Sequence, residues 1–314
     1  MRTTHVLAIG ASMLVLLSAC ATGGGGSTST QSAGPPSTAA PIKIGSDGFY
    51  EAKLMGEIYA QVLEHAGYTV ERNLGLGARD VTSAALESGQ IDMKPEYVGS
   101  GLGFYDKTKP TGDPAANAKA LAEILATKGG GISVLGYTPA QDTNAFAVRG
   151  ETAAQMHLAK ISDLTPIAGD LAWGLPPECA TNPLCGGALK DAYGIDVTTL
   201  RVAPLAACDA PIAEALNGRA IDVAELCSTQ PAISLFAFVV LEDDKHTQPA
   251  ENIAPIVRND YLAKVDGASF RKLLDDASAK MTTAELTKLG VAVAVDQKDI
   301  ADVARTWLTD QGLI

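Results

Sequence analysis

Ala85-Leu86-Glu87-Ser88-Gly89-Gln90-Ile91-Asp92 has a second copy in this chain, Ala215-Leu216-Asn217-Gly218-Arg219-Ala220-Ile221-Asp222, with the Ala-Leu and Ile-Asp pairs at the same spacing. In both copies an amphipathic segment leads into a glycine and then into a β-favouring stretch, which predicts a helix, a left-handed C-cap and a strand. The copies lie too far apart for a solenoid, whose repeats are roughly 20–50 residues long. The sequence therefore predicts two similar lobes with a cleft between them, a common place for a ligand.

Residues 1–19 have the order of an export signal. Arg2 supplies positive charge, and Val6 to Leu17 form an apolar core that is shorter than the ~20 residues of a membrane span. The next residues, Leu17-Ser18-Ala19-Cys20, resemble the cleavage site of bacterial lipoproteins, which implies that Cys20 becomes the lipidated first residue. The alternative is an ordinary secretory signal with a chance cysteine. Residues 20–40 are uncharged and rich in small residues and proline, which predicts a flexible tether outside the cytoplasmic membrane.

The remaining chain, from residue 41 to residue 314, is long enough for one large or two ordinary domains. Its charge balance is acidic. The net charge of the whole chain is −12, and it becomes −13 when Arg2 is removed with the signal. The absence of a Lys/Arg run argues against nucleic acid or anionic lipid as a partner. No second stretch approaches the length and apolarity of a membrane span.

Four cysteines remain besides Cys20. An even number in an exported protein favours disulfides, and four cysteines allow three pairings. We prefer Cys179 with Cys185, across a proline-rich loop, and Cys208 with Cys227. A zinc site is the weaker alternative, because no CxxC spacing is present and the histidines are scattered. We expect no metal and no cofactor.

Alternating strand and helix signals predict an α/β chain that passes twice between its lobes. We expect the first lobe to contain residues 41–143 and 247–314, and the second lobe to contain residues 144–246. Crossings near 142–144 and 244–248 would act as the hinge. The last three predicted helices have few strands to cover, so we expect them to pack on the first lobe.

Several sequence blocks resemble one family. Ile44 to Glu51, read Ile-Gly-Ser-Asp-Gly-Phe-Tyr-Glu, is similar to the "IGSKxFTEQ" opening of the glycine betaine/carnitine/choline substrate-binding proteins of ABC importers. Further similar blocks follow in the same order along the chain: Leu74 to Gly77, Pro95 to Gly99, Ala145 to Arg149, Val240 to His246 and Ala254 to Arg258. The resemblance covers the chain from Ile42 to its C-terminus.

This resemblance implies a two-lobed periplasmic-binding-protein fold of type II-like α/β architecture. Such a protein closes around a small solute and presents it to the permease subunits of the importer. Relatives hold trimethylammonium groups in a cage of tyrosines, where cation–π attraction contributes ~0.5–2 kcal/mol per favourable contact. Carboxylate-bearing ligands are also held by a basic residue and a hydroxyl.

Compared position by position, the resemblance keeps only part of that cage. Tyr97 matches one cage tyrosine, and Ser100 keeps the hydroxyl of a nearby threonine. Asn144, Cys227 and Glu251 stand at the other three tyrosine positions. Asp47 replaces the lysine of the opening motif, which argues against a ligand carboxylate there. The candidate ligand-binding residues are Tyr97, Ser100, Asp47, Phe49, Asn144, Cys227, Thr229 and Glu251.

These replacements predict a change of ligand. A pocket that exchanges aromatic faces for amide and carboxylate groups favours a solute with hydrogen-bond donors, such as a polyol, a sugar-like solute or an amine. The alternative is a shifted register in which Phe49, Tyr50, Tyr105 or Tyr137 refills the cage.

An extracellular enzyme is a further hypothesis, and the sequence argues against it. The chain has no GxSxG elbow, no HExxH motif, no phosphate loop and no histidine placed by a motif beside a nucleophile. Paired acids such as Asp47 and Glu51 are typical of a helix start, where carboxylates interact with the backbone N–H groups. A scaffold or adhesion lipoprotein would share the fold without needing a cleft that closes.

Overall fold

The computed structural model describes residues 40–314. The predicted signal, Cys20 and nearly all of the predicted tether lie outside these residues. The described part holds two five-stranded sheets covered by helices. Its strands are β1 (Ile42–Asp47), β2 (Val70–Gly77), β3 (Met93–Tyr97), β4 (Ile132–Val134), β5 (Asn144–Arg149), β6 (Ala172–Leu175), β7 (Arg201–Pro204), β8 (Val223–Cys227), β9 (Phe238–Val240) and β10 (Ile253–Arg258).

Twelve α-helices connect and cover these strands within residues 40–314. They are α1 (Tyr50–His65), α2 (Arg79–Ser88), α3 (Val98–Tyr105), α4 (Pro114–Leu125), α5 (Gly150–Met156), α6 (Ala188–Tyr193), α7 (Ala210–Asn217), α8 (Pro231–Leu235), α9 (Asn259–Leu262), α10 (Gly267–Lys280), α11 (Thr283–Gly290) and α12 (Ile300–Asp310). Segments of 3₁₀ or π geometry lie at Ile161–Asp170, Cys179–Thr181, Pro183–Gly187, Val197–Thr199 and Val291–Val295.

The two sheets have matching strand orders, β2-β1-β3-β10-β4 and β7-β6-β8-β5-β9. In each sheet three strands are parallel, and the strand beside them, β10 or β5, is antiparallel to both of its neighbours. We call the first sheet with its helices the first lobe and the second sheet with its helices the second lobe. The predicted two-lobed α/β architecture is therefore confirmed.

The repeated sequence forms the same unit in both lobes. In each copy the Ala-Leu pair ends a helix, α2 or α7, and the Ile-Asp pair leads into the central strand, β3 or β8. Asp92 accepts the backbone N–H of Lys43 at 2.9 Å, and Asp222 accepts that of Ala172 at 3.0 Å. Each aspartate thus ties its strand to the neighbouring parallel strand.

An arginine completes each copy. Arg258 donates to the carbonyls of Leu86 and Glu87 at the end of α2, and Arg149 donates to that of Leu216 at the end of α7. Carbonyls of a last helical turn lack partners within the helix, and each guanidinium group gives them a hydrogen bond beyond those of the capping turn.

The left-handed C-cap differs between the copies. Gly89 has a φ of 81°, as predicted. Gly218 has a φ of −76°, and the left-handed residue is Arg219 with a φ of 63°. The predicted glycine cap is wrong for the second copy, where the turn is displaced by one residue.

Two aspartates at helix starts have different roles. Asp113 caps α4 and accepts the N–H groups of Ala115 and Ala116. Asp80 is not a cap, because it lies in the first turn of α2. An acidic residue still interacts favourably there with the N-terminal end of the helix dipole.

The chain crosses between the lobes at residues 135–143 and 241–252. The two crossings lie side by side, because Gln141 and Asn252 form an antiparallel bridge and the N–H of Asp142 donates to the carbonyl of Glu251 at 3.2 Å. Helices α10 and α12 pack on α1 in the first lobe, where Ile58, Phe270 and Trp307 belong to one buried apolar cluster.

Both disulfides of the second lobe are present with the preferred pairing, Cys179 with Cys185 and Cys208 with Cys227. Since these sulfurs are bonded to each other, they are not available as zinc ligands. Among residues 40–314, no helix has both the length and the apolarity needed to span a membrane.

Candidate functional site

A polar cavity of about 150 Å³ lies where the lobes and both crossings meet. Its lining residues come from α3, from the first crossing and the start of β5, from the loop closed by Cys179 and Cys185, and from the second crossing. They are Ser100, Asp142, Thr143, Asn144, Leu184, Gln248, Pro249 and Glu251. Three of these, Ser100, Asn144 and Glu251, are predicted ligand-binding residues.

A larger cavity of about 340 Å³ adjoins it and shares Thr143, Asn144, Gln248 and Pro249. Neither Ser100 nor Glu251 lines this larger space, which is bounded instead by β9 and by residues of both crossings. We place the candidate site in the smaller cavity, because the predicted polar residues converge there.

Ser100 and Glu251 form one wall of the cavity. The Ser100 backbone N–H and hydroxyl both donate to Glu251 Oε2, at 2.9 and 2.8 Å. A Cβ atom on Gly99 would lie 2.6 Å from the Ala250 carbonyl oxygen and 2.9 Å from Glu251 Oε1. The absence of a side chain at position 99 therefore lets Glu251 lie against the start of α3. Burial raises the pKa of the Glu251 carboxyl to about 7.

Tyr97, at the end of β3, lies beside Phe49, which directly precedes α1. Their ring centroids are 5.8 Å apart, and the Tyr97 hydroxyl donates to Glu51 Oε1. Tyr97 is buried, whereas Phe49 is 45% exposed. These two predicted residues thus form an aromatic pair, and Tyr97 links that pair to the Glu51 carboxyl.

The Glu51 carboxyl is buried and only partly hydrogen-bonded. It is 2% exposed, and its Oε2 has no hydrogen-bond partner among residues 40–314. Burial raises the pKa of Glu51 well above its usual range, and the nearby Asp142 carboxyl raises it further. Both effects disfavour the negative charge.

Asp142 and Thr229 connect the first crossing to the second lobe. Asp142 Oδ1 accepts the Thr229 hydroxyl at 2.8 Å and the Thr229 backbone N–H at 3.2 Å. Burial raises the pKa of Asp142, and the hydrogen bonds from Thr229 oppose that rise. Thr229 therefore joins the first crossing to the segment that follows β8.

Asp47 belongs to a separate buried network in the first lobe. It accepts the Lys94 ammonium at 2.9 Å and the Thr82 hydroxyl at 2.5 Å. Lys94 also lies 3.1 Å from Glu96, whose other oxygen is 3.1 Å from Arg79 Nε. A positive charge is thus present beside position 47, where the family motif has lysine, but Lys94 supplies it from β3.

Cys227 does not line the cavity, and neither do Tyr50 and Tyr105. Cys227 is bonded to Cys208 and pairs with Asn144 across the β5–β8 ladder. Of the rings that could refill a cage, Tyr105 bonds to Glu87 beside α2. The Tyr50 hydroxyl lies against Gly290 at the end of α11, where an added Cβ atom would be 2.8 Å from it.

Sequence reasoning missed Glu51 and Asp142 as parts of the site. From the sequence, Glu51 is interpreted as an acid at a helix start, although it matches the glutamate of the opening motif. Asp142 belongs to no motif. Its position in a predicted crossing is the one feature of the sequence that places it near the cleft.

Comparison with known proteins decides the family. The family described as the substrate binding domain of ABC-type glycine betaine transport systems matches residues 40–310. This chain belongs to that family. The family predicted from the sequence is thereby confirmed, and the protein is the substrate-binding component of a glycine betaine-type ABC importer. Its homologues are transport proteins, so the enzyme hypothesis is wrong.

Two curated relatives extend over most of the chain. The glycine-betaine-binding protein of Pseudomonas aeruginosa is 27% identical over 285 residues, which cover 88% of this chain and 89% of that protein. The glycine betaine-binding protein YehZ of Escherichia coli is 26% identical over 285 residues, covering 88% and 93%. The solved structure of apo YehZ from Escherichia coli has a TM-score of 0.77 at 24% identity and covers 88% of this chain and 100% of that one. This family member therefore shares the fold of that structure.

Proposed function

We propose that this family member is an extracytoplasmic lipoprotein, anchored to the cell membrane through Cys20, that traps a small polar solute between its lobes for the permease. The observation that carries the proposal is the composition of the cavity. Its eight lining residues include two carboxyls, two amides and two hydroxyls, and none of them is aromatic. Such a lining favours a ligand with hydrogen-bond donors over a fully methylated cation, which has none.

The proposed lobes are residues 41–143 with 247–314, and residues 144–246. In this proposal Ser100 and Glu251 hold the solute from one side and Asn144 from the other. Tyr97 and Thr229 bind the Glu51 and Asp142 carboxyls, and Phe49 packs beside Tyr97. Binding to the closed form must be tighter than binding to the open form, or the ligand would not drive closure. The side-by-side crossings support a hinge, because within residues 40–314 they are the only covalent links between the two sheets.

Thermal unfolding of the purified protein tests solute binding. Glycine betaine, choline, carnitine, glycerol and a sugar would be added separately, and the melting temperature would be measured for each. A ligand at about 100 times its Kd stabilises by about 2.7 kcal/mol, so a true ligand should raise the melting temperature by several degrees.

Matched variants assign the site. We expect Ser100→Ala to reduce the ligand-induced rise, because the hydroxyl lines the cavity, and Ser88→Ala, an exposed position at the end of α2, to leave it unchanged. A scaffold would show no rise with any solute, and that result would contradict the proposal.

Membrane anchoring is tested separately. The wild-type chain should partition into detergent with a lipid-modified N-terminal residue by mass spectrometry, and Cys20→Ala should not. Release of both proteins into the soluble fraction would contradict the proposed anchor.

A further inference from the structure

The buried carboxyls near the cavity fall into two groups. Within residues 40–314, Asp47 and Glu96 have basic partners within 4 Å, namely Lys94 for both and Arg79 for Glu96. In contrast, Glu51, Asp142 and Glu251 accept hydrogen bonds only from hydroxyls and backbone N–H groups. No Lys, Arg or His of the described chain forms an ion pair with these three.

The Arg79 guanidinium attracts the Glu251 carboxylate weakly from a distance, because its hydrogen bond goes to Glu96. A buried carboxylate without a positive partner is costly, and so is a buried polar atom without a hydrogen-bond partner. Glu51 Oε2 is such an atom. The protein therefore gathers three buried carboxyls without a basic partner in one place, and one of them has an unsatisfied oxygen.

That place opens onto a cavity. Asp142 and Glu251 both line it, and Asp142 also adjoins Glu51. None of the eight lining residues is basic. A cavity of about 150 Å³ is the size that holds a benzene-sized molecule in an engineered protein core. A small cation would supply the missing charge, and N–H groups on it would supply the missing donors.

We infer, given the proposed function, that the solute is a small protonated organic amine whose N–H groups donate to the carboxylates of Asp142 and Glu251, which line the cavity. A quaternary ammonium carries the charge but no N–H donor, so it would form no hydrogen bond with these two carboxylates. Charge-assisted hydrogen bonds to carboxylates are roughly twice as strong as neutral ones, so an N–H donor should decide the affinity.

Ethanolamine and choline form a matched pair of probes. Both have a 2-hydroxyethyl group and one positive charge, and they differ only in the three N-methyl groups. Calorimetric titration of the full chain in detergent at pH 8 should give an affinity for ethanolamine at least tenfold higher than for choline. Agmatine, a guanidinium amine, and glycerol, a neutral polyol, complete the set.

Two substitutions locate the binding groups. Asp142→Asn keeps an oxygen that can accept from Thr229, so the fold should persist, but it removes the charge. It should weaken ethanolamine binding by about 10- to 100-fold. Glu251→Gln should act in the same direction. The control Asp276→Asn makes the same charge change at an exposed helix position paired with Lys272, and it should leave the affinity unchanged. Melting temperatures without ligand show whether each variant is folded.

The outcomes separate this inference from the proposed function. Equal or tighter binding of choline, or ethanolamine binding that survives both Asp142→Asn and Glu251→Gln, would overturn the amine assignment while leaving a solute-binding cleft. Binding of glycerol alone would do the same. If none of the four probes binds, the amine assignment is wrong, and silence across the wider panel above would count against the proposed function as well.

Discussion

Glu51 shows how a carboxylate can lie in a buried place without a basic partner. It occupies the first turn of α1, where backbone N–H groups lack intrahelical partners and the helix dipole presents its positive end. That field contributes ~0.3–1 kcal/mol, or up to ~2 kcal/mol when partly buried, which offsets only part of the burial cost. The raised pKa of Glu51 follows from this imbalance.

Lys94 is the opposite case, a fully buried ammonium that is held by two carboxylates and a hydroxyl. Removing one partner of a buried ion pair typically costs ~3–5 kcal/mol, because the remaining charges stay buried. We expect Lys94→Met to lower the free energy of unfolding by about that amount, because it leaves Asp47 and Glu96 short of a cation. Urea denaturation measures the change.

The matched control for this prediction is Lys272→Met. Lys272 is 74% exposed and pairs with Asp276 one helical turn away, so its loss should cost less than ~0.5 kcal/mol. If the two variants had similar stabilities, the buried network would not contribute as argued here.

At the scale of elements, the repeated helix–strand unit depends on an isoleucine meeting a glycine of the neighbouring strand. A Cβ atom on Gly45 of β1 would lie 2.5 Å from Ile91 Cδ1, and one on Gly174 of β6 would overlap Ile221 Cδ1. The same close approach occurs in both lobes, which explains why the Ile-Asp pair recurs with its spacing intact.

Gly174→Ala should therefore destabilise the second lobe. Overpacking a core in this way typically costs ~1–3 kcal/mol, and thermal unfolding would report it as a lower melting temperature. Adding Ile221→Val removes the clashing Cδ1 methyl group, so the double variant should recover part of the loss. Gly169→Ala is the control, because a Cβ atom there would meet no atom within 4 Å. A double variant less stable than either single one would contradict this packing explanation.

At the scale of the whole molecule, the acidic interior makes stability depend on pH. Burial raises the pKa of Glu225 and of Glu251 to about 7, and it also raises the pKa values of Glu51, Asp142 and Asp92. Unfolded carboxyls titrate near pH 4. Between these values the folded chain holds more protons than the unfolded chain, so stability falls as pH rises.

We expect the melting temperature of the ligand-free protein to be higher at pH 5 than at pH 8. Each proton that only the folded state retains contributes a slope of about 1.4 kcal/mol per pH unit. Glu225→Gln should reduce the slope, because Glu225 is almost fully buried, and the exposed Glu123→Gln should not. A melting temperature that is constant or rising between pH 5 and pH 8 would refute this account.

The features that the sequence alone determined are local in the chain. The repeat, the alternation of strands and helices and the motif blocks each lie within short stretches, so their periodicity and order predicted the two lobes and the family. The preferred cysteine pairing joins residues of one lobe and agrees with the structure. The displaced cap at Arg219 was not predictable, because the choice between neighbouring residues depends on how α7 meets β8.

Only the tertiary structure decided the charge balance of the site. Asp142 and Glu251 come from different crossings and Glu51 from the first helix, and these segments meet because both crossings run side by side. Whether a carboxylate has a positive partner depends on where Lys94 and Arg79 lie. Lys94 pairs with Asp47 and Glu96, and Arg79 pairs with Glu96. Electrostatic energy depends on distance in space and on burial, and a sequence specifies neither until the chain is folded.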